Sequence, residues 1–442
     1  MLTLNISKKA VEWAKTALIA LLTASALFLA WRTGIFSEIF ASIPFVGSVA
    51  ELLGGASGAA EPGGASIKEA ARPLSIVITD EEGERFGAKF NADERNAVYE
   101  RTSSILGEAL GSAAEPFEIS EGEWRAAMSG VGLFYEYATP VRLSILDAWL
   151  GARKPDTAHD AILRRIFVAF GEGRSRLYYQ EQGSGAFFCA DTASAAGKAQ
   201  ELGEYSANGA AFAFETGVSG AGNAPYMLIL PDRYFPEVRA APVGNAEELL
   251  ELALSALGLG DEANTTYYYG AESVLVCVGA QFNIRVNADG RVLYRRTDAM
   301  AAEGTAQALG EVELIEKARA IAADSAGASC GNAEVFFDSI EAGEAEGSFS
   351  VLFSFYIAGG RVFLPEDRPA ALVTFASWEV SSVEMNFRDF TFTGERVRLL
   401  DGRLALAAAG GEFMLCYADT GADTMNPFWV RMPEYGERSS RR

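Results

Sequence analysis

The chain has 442 residues, enough for two or three domains, and 49% of them are hydrophobic, so sizeable cores can be buried. Its formal net charge is −22, from 59 acidic and 37 basic side chains. That balance argues against nucleic acid and against anionic lipid headgroups as partners, since both need clustered Lys and Arg.

The N-terminus departs from this acidic average. Lys8, Lys9 and Lys15 precede a nearly uncharged run, Thr16 to Trp31 (TALIALLTASALFLAW), which Arg32 closes. With the approach from Val11 the stretch is near the ~20 residues that cross a bilayer. The lysines stand before it, so the positive-inside rule predicts a cytoplasmic N-terminus and an extracytoplasmic remainder. A cleaved signal peptide is the alternative. Its small-residue motif, Ala24-Ser25-Ala26, falls inside the apolar run rather than after it, so an uncleaved single-pass anchor is the better reading. No Cys closes the run, which excludes a lipoprotein anchor. Ala20 and Ala24 are four apart, as are Ala26 and Ala30. Small residues at that spacing let membrane helices approach closely. Alanine is also common in any membrane helix of an Ala-rich chain, so the spacing alone defines no contact.

Residues 33–71 read as an apolar membrane-proximal segment and a Gly/Ala/Ser/Pro linker, LGGASGAAEPGGAS at 53–66, without periodicity. Folded sequence begins near Arg72. Pro73–Thr79 reads as a strand. Asn91 with Glu94 caps a helix carrying Val98, Ile105, Leu106, Ala109 and Leu110 on one face. Ser120 and Glu123 repeat the capping pattern before Trp124. Val131–Tyr137 reads as a strand, and Thr139-Pro140 as the opening of a third helix. Arg165–Phe170 and Arg174–Gln180 read as a strand pair. Residues 72–240 are therefore a mixed α+β domain.

Residues 241–442 read as a second α+β domain with an internal repeat. A helix capped by Asn245 precedes strands at Ser273–Val278, Gln281–Asn287 and Arg291–Arg296, the last two joined by Ala288-Asp289-Gly290. A second helix through Val312, Ile315 and Ile321 precedes strands at Glu334–Phe337, Ser350–Ile357 and Arg361–Leu364, with Gly359-Gly360 as a turn. Ala371–Val380 and Ser382–Phe392 continue the pattern. The common unit is one helix followed by an antiparallel meander.

Catalytic signals are weak. His159 is the single histidine and sits in the polar stretch KPDTAHDA, with no serine elbow motif elsewhere. Metal sites needing two histidines are impossible, and no cofactor signature stands out. Paired carboxylates at Asp80, Glu81 and Glu82, or at Glu341, Glu344 and Glu346, are better explained as solvated turns. Asp419 and Asp423 resemble a calcium loop only faintly. Cys189, Cys277, Cys330 and Cys416 are far apart in apolar runs. That favours buried thiols over a zinc or redox motif and leaves one or two disulfides open. Tyr267, Tyr268 and Tyr269 are consecutive, and Phe387, Phe390 and Phe392 crowd one segment. Aromatic strand faces of this kind serve protein interfaces. Ordinary helix-on-sheet packing explains them at least as well.

Four stretches carry a family resemblance: the anchor LLTASALFLAWRTGIF, the start RPLSIVI followed by ADERNAVYERTSSILGEAL, the block GLFYEYATPVRLSILDAWL, and the pattern Ala376-Ser377-Trp378-Glu379-Val380 followed by Leu415-Cys416-Tyr417 and Pro427-Phe428-Trp429. Together they resemble the YycH family and its relative YycI, single-pass membrane proteins of Gram-positive bacteria. The resemblance implies an α+β ectodomain without catalytic residues. It also implies modulation of a WalK-type sensor histidine kinase of a two-component system, partly through membrane-helix contacts. Under it, Ala20, Ala24, Ala26 and Ala30 become the first place to seek a kinase contact. A second membrane-anchored regulator is a further implied partner. The long linker departs from a rigid coupling between anchor and ectodomain.

The sequence therefore predicts a non-enzymatic extracytoplasmic regulator in the cell membrane. Its interface candidates are the four alanines with Tyr267, Tyr268, Tyr269, Phe387 and Phe390. A membrane-anchored binding module for a peptide or cell-wall component is the alternative, and a hydrolase using paired carboxylates the weakest reading.

Overall fold

The computed structural model describes residues 67–152, 160–171, 173–193, 202, 204–259, 263–269, 274–297 and 308–432. The predicted anchor, the linker up to residue 66 and His159 lie outside the described residues. Among the described residues no helix is long and apolar enough to cross a membrane.

A one-turn helix, α1 (Ile67–Ala70), leads into β1 (Ser75–Thr79) and β2 (Arg85–Ala88). Helix α2 (Ala92–Ser112) follows, and the Asn91 side chain caps it by accepting from the Glu94 amide. Next come β3 (Phe117–Ile119), α3 (Glu121–Met128), β4 (Gly132–Arg142), α4 (Leu143–Trp149), β5 (Ile162–Gly171), β6 (Arg174–Glu181) and β7 (Phe187–Thr192). The capping box predicted at Ser120 and Glu123 closes in both directions. The strands form one sheet in the order β2-β1-β4-β5-β6-β7-β3.

This sheet is covered on both faces. Ile76, Ile78, Leu133 and Tyr135 join a core with Val98, Ile105 and Leu106 of α2, while Val77 and Phe134 join another with Trp124 of α3. Alternate residues of one strand thus feed separate cores, and for that reason SIVIT is apolar without alternation. One boundary differs from expectation. Thr139 and Pro140 do not open a helix; they extend β4 through an irregular stretch where the register with β5 shifts between Glu136 and Val141. Pro140 needs no ladder hydrogen bond there, and the Thr139 hydroxyl donates to the Phe337 carbonyl at 2.9 Å instead of capping.

Two short strands, β8 (Ala211–Phe212) and, after the one-turn helix α5 (Ala213–Thr216), β9 (Leu228–Ile229), pair with each other. Strand β10 (Tyr234–Pro242) precedes helix α6 (Ala246–Ala256), whose Asn245–Glu248 capping box is present. Strands β11 (Ala263–Tyr269), β12 (Val274–Gly279), β13 (Phe282–Val286) and β14 (Arg291–Arg296) then form an antiparallel meander. Helix α7 (Glu311–Asp324) starts a second round through β15 (Glu334–Ala342), β16 (Phe349–Ile357), β17 (Gly360–Phe363), β18 (Ala371–Ala376) and β19 (Glu379–Asn386). An eleven-stranded sheet runs β11-β12-β13-β14-β19-β18-β16-β17 and on to two strands from the end of the chain, with β15 on the far side of β16. The two helix-plus-meander units, of four and five strands, therefore meet back to back through the antiparallel pair β14–β19. Leu249 and Ala253 of α6 and Leu314 and Ala318 of α7 fill the same core beside this sheet.

The chain closes with β20 (Arg388–Arg398), α8 (Gly402–Ala409), β21 (Phe413–Ala418), β22 (Thr424–Met425) and β23 (Phe428–Arg431). Strand β10 pairs with β20 and β22, so Tyr234–Pro242 belongs to a sheet otherwise made from the end of the chain. Residues Gly63–Arg442 form one compact unit, and the expected boundary at 240/241 falls inside β10.

Two turns differ from the sequence reading. Ala371–Val380 is not one strand, because Ser377 and Trp378 adopt left-handed backbone angles, φ 51° and 60°, and reverse the chain. Tryptophan carries no turn signal, yet its backbone amide donates to the Gly347 carbonyl at 3.0 Å, which holds the turn in place. The Gly359-Gly360 turn is shifted by one residue: Ala358 (φ 47°) and Gly359 (φ 70°) make it, and Gly360 begins β17.

Candidate functional site

The structure distributes the predicted interface residues rather than gathering them. Ala20, Ala24, Ala26 and Ala30 lie outside the described residues. Tyr267, Tyr268 and Tyr269 lie in β11 at one end of the eleven-stranded sheet, opposite Val276, Leu275 and Val274 of β12. Phe387 and Phe390 are corrected as surface candidates. Both have 0% exposure, Phe387 in the large core with Val286 and Met385, and Phe390 in a smaller core against Phe355. Phe387 lies between β19 and β20, where its amide donates to the Gly290 carbonyl, and Phe390 points inward from β20, while Phe392 of that strand is 46% exposed.

Two of the acidic candidates have structural partners. Asp80 accepts from the Glu84 amide and closes the β1–β2 turn. Asp419 is buried and paired with Arg388, so its carboxylate is already engaged. Among the described residues no group of three His, Cys, Asp or Glu is placed to hold a metal ion. All four cysteines are free and buried. Burial pushes the Cys330 thiol up to about 11 and the Cys416 thiol up to about 12, so both stay protonated near neutrality.

The notable chemistry lies along a seam between the first sheet and the later elements, and it is ionic. Glu136 of β4 is buried beneath three cations. Arg165 donates to it from Nε and Nη2 at 3.0 and 2.9 Å, Arg164 Nη2 lies at 3.4 Å, and Lys89 Nζ at 3.9 Å. The Ser75 hydroxyl also donates, at 3.2 Å. Glu412, just before β21, accepts from Arg164 and Arg165 at 2.8 and 2.6 Å. Burial acts to raise the Glu136 pKa, but Arg164, Arg165 and Lys89 outweigh it and hold the carboxyl down at about 2. Glu412 is lowered for the same reason, with burial opposing the two arginines. Burial lowers the Lys89 pKa, and Glu136 offsets part of that.

A second cluster joins α2 to β15. The fully buried Arg95 donates through Nη2 to both Glu334 oxygens at 2.5 Å, and Arg72 Nη1 donates to the same carboxylate at 3.1 Å. Nearby, Trp149 Nε1 donates to Glu316 of α7 at 2.5 Å, and Arg319 donates to Glu316 as well. A cleft of about 250 Å3 opens beside these groups, lined by Trp149, Phe337, Phe353, Arg72, Glu334 and Arg319 among others. None of these residues drew attention as a site in the sequence. The pairs that join distant elements, such as Trp149–Glu316 and Arg72–Glu334, are 167 and 262 positions apart, and single charges at that separation form no motif.

These observations define a class first: an α+β body of antiparallel meanders locked by buried ion pairs. No protein-family model and no curated protein matches the sequence. The particular likeness is to the crystal structure of YycH from Bacillus subtilis, with a TM-score of 0.51 and 13% identity, covering 84% of this chain and 95% of that one. The chain has a YycH-like fold.

Proposed function

We propose that the chain is a membrane-anchored, non-enzymatic regulator of a sensor histidine kinase in a two-component system. The observation that carries this reading is the YycH-like fold extending over 84% of the chain. The sequence resemblance to that family supplies the kinase as partner and the lysine-flanked run at 16–31 as the membrane contact. A regulator can move a kinase between two states only by contacting them differently. The membrane helix, through Ala20, Ala24, Ala26 and Ala30, is the proposed point of contact. A second membrane-anchored regulator is the proposed companion on the extracytoplasmic side.

Co-purification of the full chain with the kinase tests the reading. Replacing Ala20 and Ala24 with Leu should weaken the complex by blocking close helix approach. Association unchanged by those two substitutions would remove the helix contact from the account.

The cleft beside Trp149 favours a second reading, a membrane-anchored module that binds a small molecule or peptide outside the cytoplasm. Function retained by a 67–442 fragment without its anchor would support that reading over the first.

A further inference from the structure

The cleft sets two arginines and two glutamates, Arg72, Arg319, Glu69 and Glu334, beside an aromatic wall. Two guanidiniums, Arg72 and Arg95, share the single carboxylate of Glu334. Arg95 has no exposed side-chain surface, and its Nε and Nη1, like Nε of Arg72, have no hydrogen-bond partner among the described residues. Arg95 lies behind the cleft wall, with its guanidinium 5.6 Å from the centre of the Phe336 ring. Arg72 lines the cleft, and its unpaired Nε leaves that side short of one acceptor. The nearest further acid is Glu69 of α1. It stands 3.9 Å from Arg72 Nη2, too far for a hydrogen bond, and is 42% exposed. Across the cleft, Arg319 is already engaged by Glu316. Trp149 and Phe337, whose rings meet edge to face at 6.1 Å, supply the apolar wall.

We propose that this cleft binds a small carboxylate with an aromatic or branched apolar body. The ligand carboxylate bonds Arg72 where Glu69 stands too far off to do so, and its body lies against Trp149 and Phe337. The planar fork of arginine matches a carboxylate. The apolar wall selects against bare inorganic anions, which would leave it unfilled. The volume, below the usual ~300–1,000 Å3 of ligand pockets, sets the size of the ligand to a single modified amino acid or its like. Glu69 belongs to α1, which is also held by the Tyr99 hydroxyl donating to the Lys68 carbonyl at 2.7 Å. The proposal does not depend on a kinase partner.

The test uses the full chain in lipid nanodiscs, titrated with N-acetyl-L-phenylalanine and separately with its amide, read by saturation-transfer NMR. The acid should saturate below about 10 mM, with the amide about tenfold weaker. Arg72→Gln should weaken the acid about tenfold and leave the amide unchanged. Glu69→Gln, at an exposed position that does not threaten the fold, should tighten the acid about threefold by removing the competitor. Ala323→Trp, which fills the cleft from α7, should abolish saturation by both probes. Equal binding of acid and amide, no saturation by the acid, or acid binding unmoved by Glu69→Gln and Ala323→Trp would each overturn the proposal.

Discussion

Glu412 Oε1 lies 2.6 Å from Arg165 Nη2, although the two residues are 247 positions apart. The contact joins β5 of the first sheet to the turn before β21. With Glu136 and Arg164 it makes a buried square of two carboxylates and two guanidiniums, and Lys89 adds a fifth charge at one corner. The Arg95–Glu334 pair and the Trp149–Glu316 hydrogen bond repeat the same device at other points of the seam. The first sheet and the later meanders are thus fastened by charge pairs as well as by a shared core.

Breaking the square at its centre should be costly. Glu136→Gln leaves two guanidiniums short of a buried partner, so we expect a loss of about 3 kcal/mol in urea unfolding. Glu412→Gln, at a carboxylate still about a quarter exposed, should cost about half as much because water replaces part of the interaction.

The same carboxylate sets an acid limit. The folded pKa of Glu136, about 2, lies below its ordinary 4.5. Its stabilisation is therefore complete above pH ~4.5 and is lost as pH falls toward 2, by about 3 kcal/mol in total. Unfolding free energies measured between pH 6 and pH 2.5 should show that decline, and it should flatten in Glu136→Gln.

Lys89, unlike Glu136, is dispensable to the charge balance of the square. Without it the two arginines and two glutamates remain balanced, so Lys89→Met should change stability by less than about 1 kcal/mol near neutral pH, or raise it. Burial lowers the Lys89 pKa from 10.5, so the wild type should gain on the variant as pH rises from the lowered value toward 10.5. Paired unfolding curves at neutral and alkaline pH read this directly.

Trp149→Phe keeps the ring against Phe337 but removes the Nε1 donor to Glu316. A hydrogen bond to a charged group is at stake, so a loss of about 1.5–2 kcal/mol is expected. Glu316→Gln in the Trp149→Phe background should then cost less than it does alone, and a double-mutant cycle measures that coupling.

Local signals in the sequence were sufficient for three helix starts, though not for the one expected at Thr139-Pro140. Asn91, Ser120 and Asn245 each accept from the backbone as their spacing predicted. The helix-plus-meander pattern was legible because strand alternation and helix periodicity are both short-range. The turn at Ser377–Trp378 was not, because a tertiary contact with Gly347 rather than residue preference holds it. Phe387 and Phe390 stood as interface candidates beside an ordinary packing explanation, because the order of residues does not reveal which face a later sheet will cover, and their burial decides for packing. The ionic seam was illegible for a plainer reason. Arg164, Arg165 and Glu412 are ordinary charges until the fold brings them together.

The central claim is regulation of a histidine kinase through the membrane helix. The most direct test is a membrane two-hybrid screen of the full chain against the cell's own histidine kinases, run with the native residues 1–32 and with an unrelated anchor in their place. The account predicts interaction with one kinase that disappears when the native anchor is exchanged. Failure to interact with any kinase, or an interaction indifferent to the exchange, would contradict it.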